Sequence, residues 1–368
     1  MKKILIVHPS LVGGGAEKVL INMLNSFDYT KYDVTLLTII DEGINKKYLN
    51  KNVKYNYIFK HHIKGYRHFL KFFTPEFLFK KFIKNKYDTI ISYLEGPTTR
   101  IISGATYPAN LISWIHTENT KCFEIAFRNK NEMVKAYKKM DKIVCVSNDV
   151  KKSFDTFTNN ELTNKTIMIK NINNPDIIKE KSKEKVDAIE KEAFNIVAIG
   201  RLDKNKDYAR LIPMINKLKS YGININLLIL GQGEEFYNIQ KKIKDYNVQD
   251  NVKLLGYQDN PYKFLAKADL YICCSHYEGY STTTVEALIL NVPILTTNCS
   301  GMKDILDNGK CGIIVEDEDE AILSSIEELV HNSKLRNQLQ ENQRSKIKKL
   351  YRDYYNSLEL IESILNAR

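Results

Sequence analysis

Short runs of Ile, Val and Leu without polar alternation recur along the chain, separated by longer segments with helical spacing. Such runs are typical of parallel strands covered on both faces. They occur at ILIVH, DVTLLTII, DTIISYL, LISWIH, KIVCVS and TIMIK, and then at NIVAIGRL, INLLILGQG, VKLLGY, DLYICCS, VPILTT and CGIIVE. This pattern predicts an α/β protein with two Rossmann-like, doubly wound domains that face a cleft, with ligand sites beyond the carboxyl ends of the strands.

A Lys- and Glu-rich segment at 173–192 interrupts the pattern and is predicted to be a linker. We expect an N-terminal domain at 1–172 and a C-terminal domain at 193–352. A last helix at about 353–368 is expected to pack back on the first domain. The length of 368 residues suits two domains of ordinary size.

Two features of the composition restrict the class of protein. There is no apolar run of 18 residues, and the opening MKKILIVHPS continues into a loop, so it predicts a strand and not a signal peptide. A cytoplasmic protein is therefore expected. The six cysteines form no CxxC pair, and we interpret them as reduced, structural residues that bind no metal.

The net charge of +11 is distributed unevenly. Residues 1–180 contain 29 Lys and Arg against 17 Asp and Glu, whereas residues 181–368 contain 26 against 27. The excess therefore lies in the first half, which predicts a polyanionic partner for that half.

The stretch 59–86 concentrates this charge, with eight Lys or Arg, eight aromatic residues and one acid. One interpretation is an interfacial helix on anionic lipid. Its apolar face would contain Phe69, Phe72, Phe73, Phe77, Phe82 and Ile83, beside Lys71, Lys80, Lys81 and Lys84. The other is an ordinary amphipathic helix that buries its Phe residues. Nucleic acid is not expected, because no RNP, KH or zinc-finger pattern is present.

A glycine run in LVGGGAEKVL follows the first predicted strand and opens a helix. Glycines there allow close approach of a ligand, and a helix N-terminus favours negative charge. The alternatives are a tight turn or a dinucleotide fingerprint, although the spacing does not fit GxGxxG.

In the second half, GRLDKNKD places Arg201 and Lys206 just after a strand, where two cations can converge on one diphosphate. Such a pair can neutralise the charge of a leaving nucleotide without a metal. The alternative is that both are ordinary surface charges.

The segment YEGYSTTTVEAL contains Glu278 and Glu286, separated by seven residues, around a predicted helix start. Free N–H groups at that start can hold phosphate or sugar oxygens, and the residues concerned are Gly279, Ser281, Thr282 and Thr283. The alternative is structural, with Ser281 as a helix cap and Glu286 near the positive end of the helix.

These motifs together resemble the family-4 retaining glycosyltransferases of the GT-B fold. The resemblance comprises GGGAEKVL, GRLDKNKD, GQGEE, LLGY and YEGYSTTTVEALILNVPILTTNCSGMKDIL, and it is densest from 196 to 315. It implies that Glu278 lies by the donor sugar and Glu286 on the ribose. It also implies a diphosphate site at Arg201 and Lys206, a donor cradle from Gly279 to Thr283, and Tyr257 beside the base.

On the first domain, the resemblance implies that His116 in SWIHTEN approaches the transferred sugar and that Gly14 and Gly15 approach the donor phosphates and the acceptor. One position departs from the family. Asp207 follows Lys206 where glycine is frequent, and we expect Asp207 to act as a helix cap.

The activity implied is transfer of a sugar, from a UDP-sugar in most relatives, to a hydroxyl of a glycan acceptor. The acceptor is expected to be lipid-linked, in cell-surface polysaccharide synthesis at the inner face of the membrane. The anomeric configuration would be kept, with Glu278 orienting the sugar. No cofactor or metal is expected, and the DED string at 317–319 is interpreted as acids at a helix start. The alternatives are a catalytically silent GT-B protein that binds nucleotide or glycan, and a sugar phosphorylase, for which no pyridoxal-binding Lys context is present.

Overall fold

The computed structural model describes residues 1–12, 14–118, 120–186, 188–190 and 192–367. Gly13 of the glycine run and Asn119 at the end of SWIHTEN therefore lie outside the described residues. The chain divides into two compact units. Unit 1 comprises Met1–Ile172 and Tyr355–Arg368, and unit 2 comprises Asn173–Tyr354.

Unit 1 is built on a parallel sheet of seven strands within its described residues, in the order β3-β2-β1-β4-β5-β6-β7. The strands are β1 Lys2–His8, β2 Tyr32–Ile40, β3 Lys54–Phe59, β4 Thr89–Ser92, β5 Asn110–Ile115, β6 Lys142–Cys145 and β7 Thr166–Met168. The connecting helices are α1 Gly15–Asn25, α2 Tyr66–Phe69, α3 Pro75–Phe82, α4 Pro97–Ile102, α5 Thr120–Glu124, α6 Lys130–Lys138 and α7 Asn148–Phe157. Short 3-10 helices occur at Ile44–Tyr48 and Leu70–Phe72.

Unit 2 has a parallel sheet of six strands in its described part, in the order β10-β9-β8-β11-β12-β13. The strands are β8 Phe194–Ile199, β9 Ile225–Leu230, β10 Val252–Gly256, β11 Leu270–Cys273, β12 Ile294–Thr297 and β13 Ile313–Val315. The helices are α8 Pro175–Lys181, α9 Leu211–Ser220, α10 Phe236–Asp245, α11 Tyr262–Leu265, α12 Thr282–Ile289, α13 Met302–Ile305, α14 Asp319–His331 and α15 Ser333–Asn366, with a 3-10 helix at Tyr208–Arg210.

The predicted fold class is confirmed, and each of the twelve apolar runs contains a strand. The strand β3 was not predicted. It lies at the edge of its sheet and is half exposed, so its sequence KYNYIF has no continuous apolar run.

The segment 173–192, predicted as a linker, lies within unit 2 and contains the helix α8. Asn174 caps that helix by accepting hydrogen bonds from the backbone N–H groups of Asp176 and Ile177. Pro175 occupies the first turn, where its missing N–H is not needed. The polar composition therefore reflects an exposed, well-capped helix.

The end of α15, where a helix returning to the first domain was expected, lies within unit 1. Its last backbone carbonyls are satisfied by side chains of the sheet, since Asn110 Nδ2 donates to Ile364 O at 2.7 Å and Thr89 Oγ1 donates to Leu365 O at 3.1 Å. Ile361, Ile364 and Leu365 are buried. The final helical turns therefore complete the core of unit 1.

Two further features concern the whole described chain. None of its helices combines the length and apolarity needed to cross a membrane. All six cysteines are free thiols, and four of them are buried.

Candidate functional site

The centre of the candidate site in unit 2 is an ion pair between Lys206, after β8, and Glu278, after β11. Lys206 Nζ donates to Glu278 Oε1, and Ser275 Oγ donates to the same oxygen at 2.8 Å. Both charged side chains are largely buried. The strands β8 and β11 are neighbours in the sheet, so their carboxyl ends bring these two residues together.

Burial by itself lowers the pKa of Lys206, but the negative charge of Glu278 outweighs that effect and raises the pKa above its ordinary value. Lys206 therefore stays protonated. An ammonium group has three donors, so Lys206 can hold Glu278 and an anionic ligand together.

The loops that carry Lys206 and Glu278 are fixed to one another by Asn205. Its backbone oxygen accepts from His276 N at 2.9 Å, and its side chain both accepts from Tyr277 N at 3.1 Å and donates to Tyr277 O at 3.0 Å. Three hydrogen bonds to two consecutive residues fix the relative position of the loops.

The helix α12 starts directly after this loop, and Ser281 is its N-cap, with Oγ accepting from Thr284 N. Thr283 Oγ1 lies 2.7 Å from the hydroxyl of Tyr271 on β11. The structural role proposed as the alternative for Ser281 is thus present. It is compatible with ligand binding, since a capped helix still has free N–H groups in its first turn.

Glu286 lies one turn into α12 and is fully buried. The hydroxyl of Tyr262, at the start of α11, donates to its Oε1 at 3.4 Å. Glu286 is therefore held inside the unit and is not a solvated charge on an exposed helix face.

Arg201 is exposed and forms an ion pair with Asp203 at 2.6 Å. It lies on the same short loop as Lys206, five residues earlier. The structure thus places both predicted diphosphate residues at one edge of the sheet.

The structure corrects the expectation that Asp207 acts as a helix cap. Asp207 precedes the 3-10 helix Tyr208–Arg210, but its side chain makes no capping hydrogen bond. Its φ is +42°, in the left-handed region that favours glycine. Its carboxylate lies 3.3 Å from His276 Nε2. A glycine at this position would adopt this backbone without strain.

The DED string lies at the start of α14, as predicted. Both aspartates bind Arg210, with Asp319 Oδ1 at 2.7 Å from Nη2, and Asp317 also binds His276 Nδ1 at 2.6 Å. Burial would raise the pKa of Asp317, but its hydrogen bonds to Arg210 and His276 lower it. These carboxylates are engaged in an ion-pair network. In the described part of the chain, no cluster of His, Cys, Asp and Glu suits a metal ion.

The remaining predicted donor residues lie in other loops at the carboxyl edge of the sheet. Tyr257 directly follows β10 and is half-buried. Gly279 lies in the loop before α12, and its carbonyl oxygen is 3.0 Å from where a Cβ on Gly301 would lie. The loops after β11 and β12 therefore pack closely around Gly279.

In unit 1, His116 follows β5 and is accompanied by two residues that sequence reasoning missed. His8 is the last residue of β1, and Glu95 follows β4, which lies between β1 and β5 in the sheet. Glu95 Oε2 accepts from the backbone N–H of His116 at 3.0 Å. The ring of Tyr93 lies 6.1 Å from that of His8 and 5.0 Å from that of His116.

Burial governs the ionisation of this group. It raises the pKa of Glu95 to about 7 and lowers that of His8 to about 4. The pKa of His116 falls to about 3, first through burial and then through the charge of His8. His8 Nδ1 lies 2.7 Å from Ser10 O, which can only accept, so Nδ1 carries the proton. The buried Nε2 atoms of His8 and His116 have no partner within the described ranges.

Gly14 and Gly15 lie at the start of α1, as predicted. Gly14 is the N-cap and has an ordinary extended backbone. A side chain at Gly14 would meet Glu17 Oε2 at 2.2 Å, so the flexible side chain of Glu17 would have to move.

The structure thus brings Lys206 and Glu278 into direct contact and places Arg201, Ser281 and Glu286 in the same unit, whereas His116, Gly14 and Gly15 belong to unit 1. Sequence reasoning missed Ser275 and Asn205, which orient Glu278 and its loop. Ser275 lies two residues after β11 and His8 ends β1, so a position at the carboxyl end of a parallel strand was a usable signal for these two.

Two Rossmann-like units, with a charged pair and a helix start at the strand ends of unit 2, define a protein of the GT-B fold. Anabaena HepE, solved in complex with UDP and glucose, shares this fold with a TM-score of 0.76 at 14% identity, over 99% of this chain and 100% of that chain. Residues 178–346 match the family model for glycosyl transferases group 1. This match, over slightly less than half of the chain, confirms the resemblance to glycosyltransferases stated from sequence.

Curated relatives also match part of the chain. The capsular polysaccharide biosynthesis glycosyltransferase CapM of Staphylococcus aureus is 31% identical over 45% of this chain and 44% of its own length. A 4-alpha-N-acetylgalactosaminyltransferase of Campylobacter jejuni, whose name gives a diphospho-undecaprenol-linked saccharide as acceptor, is 29% identical over 38% of each chain. The matched stretch therefore spans less than half of each of these relatives.

Proposed function

We propose that the protein is a retaining glycosyltransferase that transfers a sugar from a nucleoside diphosphate donor, expected to be a UDP-sugar, to a hydroxyl of a glycan acceptor. The observation that carries the proposal is the buried pair of Lys206 and Glu278 at the strand ends of a group 1 glycosyl transferase domain. UDP in the related HepE structure supports the choice of donor.

The roles proposed for the two cations follow from their chemistry. Lys206 and Arg201 bind the diphosphate and neutralise the charge that grows on it as the glycosidic bond breaks. Two fixed cations can do this without a metal ion, so we propose a metal-independent reaction with no cofactor.

The two glutamates have different roles in the proposal. Glu278 Oε1 already accepts hydrogen bonds from Lys206 and Ser275, which makes it a weak nucleophile and suits it to orient sugar hydroxyls. Departure and attack then occur on one face of the sugar, with retention. Glu286, buried on α12, accepts from the ribose hydroxyls, and Tyr257 packs beside the base. His116 of unit 1 acts on the transferred sugar.

For the acceptor, we propose a lipid-linked glycan at the inner face of the cell membrane, in the synthesis of a cell-surface polysaccharide. The names of the Campylobacter and Staphylococcus relatives support this class of acceptor. A catalytically silent GT-B protein that binds nucleotide or glycan is the alternative.

The test is release of nucleoside diphosphate from a panel of UDP- and GDP-sugars in the presence of EDTA. We expect turnover of one donor, reduced roughly a hundredfold or more in Glu278→Gln and Lys206→Met, since each removes charge stabilisation from the site. Lys241→Met and Glu341→Gln, exposed in unit 2, are matched controls and should keep full activity.

A second readout separates the roles of the glutamates. Glu286→Gln should weaken UDP binding roughly tenfold or more, because a charged hydrogen-bond acceptor is lost, whereas Glu278→Gln should chiefly lower kcat. Donor binding without turnover of any sugar would favour the silent protein, and turnover that requires a divalent metal would refute the metal-independent mechanism.

A further inference from the structure

Unit 1 presents an exposed aromatic cluster, formed by Phe69, Phe72, Phe73 and Phe77. The ring of Phe73 lies 5.2 Å from that of Phe69 and is stacked on that of Phe77 at 5.0 Å. Phe72 is 81% exposed, Phe69 51% and Phe77 49%. Single exposed apolar residues are common, whereas a contiguous group of large ones marks an interaction surface.

The backbone beneath this cluster is held by a buried arginine. Arg100, on α4, is fully buried, and its Nη1 and Nη2 donate to Leu70 O and Phe73 O, each at 2.6 Å. Its charge is balanced by Glu132 at 2.9 Å. A buried guanidinium with this many partners fixes the turn from Leu70 to Phe73, so the exposure of Phe72 is built into the fold.

Further contacts fix the same segment. Arg128 Nε donates to Lys71 O at 2.9 Å. A side chain at Gly104 would lie 1.9 Å from Pro75 O, so the end of α4 packs against the start of α3 at a distance that only glycine permits. The rings therefore stand on a rigid support.

Three lysines lie on α3 or just after it. Phe77, Lys80 and Lys81 follow the spacing i, i+3 and i+4, which places them on one side of the helix, and Lys84 lies two residues beyond its end. The three lysines are exposed, and no ion pair involves them in the described part of the chain. Glu76, the one acid of the stretch 59–86, pairs with Lys139 at 3.2 Å.

The other apolar residues of the stretch turn inward. Leu78, Phe79 and Ile83 are buried, and the ring of Phe82 packs on that of Phe59 at 6.0 Å. Phe82 and Ile83 therefore do not belong to one apolar face with Phe69 and Phe72, which corrects the expected single helical face. The stretch 59–86 therefore combines both alternatives, since some of its Phe residues are exposed and others are buried.

We propose that the exposed aromatic cluster is a preformed insertion surface for an anionic lipid bilayer. Phe69, Phe72 and Phe77 enter the boundary between headgroups and acyl chains, while Lys80, Lys81 and Lys84 bind lipid phosphates. Charge decides for lipid over a second copy of this chain, because copies that pair through this surface would bring like charges together. The inference concerns unit 1 and does not depend on the donor chemistry proposed for unit 2.

The test is partition of the full-length protein onto vesicles of phosphatidylglycerol and phosphatidylcholine. Phe72→Ser should weaken binding roughly tenfold to a hundredfold, because burial of one Phe is lost. Tyr237→Ser is the matched control, since Tyr237 is 80% exposed but lies in unit 2, and it should bind like wild type. Equal binding by Phe72→Ser and wild type would overturn the proposal.

A second set of variants tests the lysines. Lys80→Gln, Lys81→Gln and Lys84→Gln should each weaken binding roughly fivefold on anionic vesicles and leave the weak binding to pure phosphatidylcholine unchanged. Fluorescence of Trp114, the one Trp of the chain and a buried residue of β5, verifies that each variant is folded. Dimerisation that is lost in Phe72→Ser, with no vesicle binding by wild type, would assign the surface to a second copy and refute the lipid assignment.

Discussion

At the scale of single residues, burial shifts the ionisation of the group in unit 1 formed by His8, Glu95 and His116. Glu95 holds a raised pKa of about 7 and His8 a lowered pKa of about 4, both through burial. A raised carboxyl pKa means that the folded state binds a proton that the unfolded state releases. Glu95 therefore contributes stability at low pH that is lost as pH rises from 4.5 to about 7.

We predict that Glu95→Gln gains stability relative to wild type as pH rises from 5 to 8. The gain should reach about 3 kcal/mol, because each unit of pKa shift corresponds to about 1.4 kcal/mol. Urea unfolding followed by Trp114 fluorescence measures it. His8→Gln should show the opposite sign, with a relative gain as pH falls from 6.5 towards 4. A stability difference independent of pH would contradict the prediction for either variant.

At the scale of elements, the loop from β8 to the 3-10 helix at Tyr208 depends on one residue with positive φ. Asp207 has φ of +42°, which costs an ordinary L-residue about 1–2 kcal/mol and glycine little. Asp tolerates this region better than branched residues do.

We predict that Asp207→Gly leaves the free energy of unfolding within about 1 kcal/mol of wild type, since relief of strain offsets the lost contact with His276. Asp207→Val should destabilise unit 2 by about 1–2 kcal/mol. Calorimetric unfolding of both variants measures the difference. Equal effects of Gly and Val would show that the backbone conformation is not what selects the residue.

The elements also show what sequence could predict. Twelve strands carry continuous apolar runs because both faces of a parallel sheet are covered. These strands could therefore be predicted from the sequence. The edge strand β3 has no such run, and α8 lacks an apolar stripe, so neither was predicted.

For the site, Glu278 and Lys206 were predicted from motif and spacing. Ser275 and Asn205, which orient Glu278 and its loop, were not predicted. Ser275 lies outside the quoted motif, and Asn205 bonds to Tyr277, 72 positions away, a pairing that leaves no local signal.

At the scale of the whole molecule, the excess of positive charge and most of the residues proposed to bind the nucleotide lie in different parts of the chain. The excess of basic residues lies in the first half of the chain, with the exposed aromatic cluster. The residues proposed to bind the nucleotide lie in unit 2, apart from His116, Gly14 and Gly15. A soluble nucleotide should therefore raise the free energy of unfolding of unit 2. The excess of Lys and Arg in the first half of the chain should not contribute to that effect.

We predict that UDP raises the free energy of unfolding of unit 2 by about 2.7 kcal/mol at a concentration of one hundred times its Kd. Because Arg201 and Lys206 are proposed to supply the cations, the same shift is expected in EDTA and in magnesium. Calorimetry of wild type and Lys206→Met measures this, with Lys241→Met as the control that keeps the shift. Stabilisation that appears only with magnesium would mean that a metal ion, and not Lys206, carries the phosphate charge.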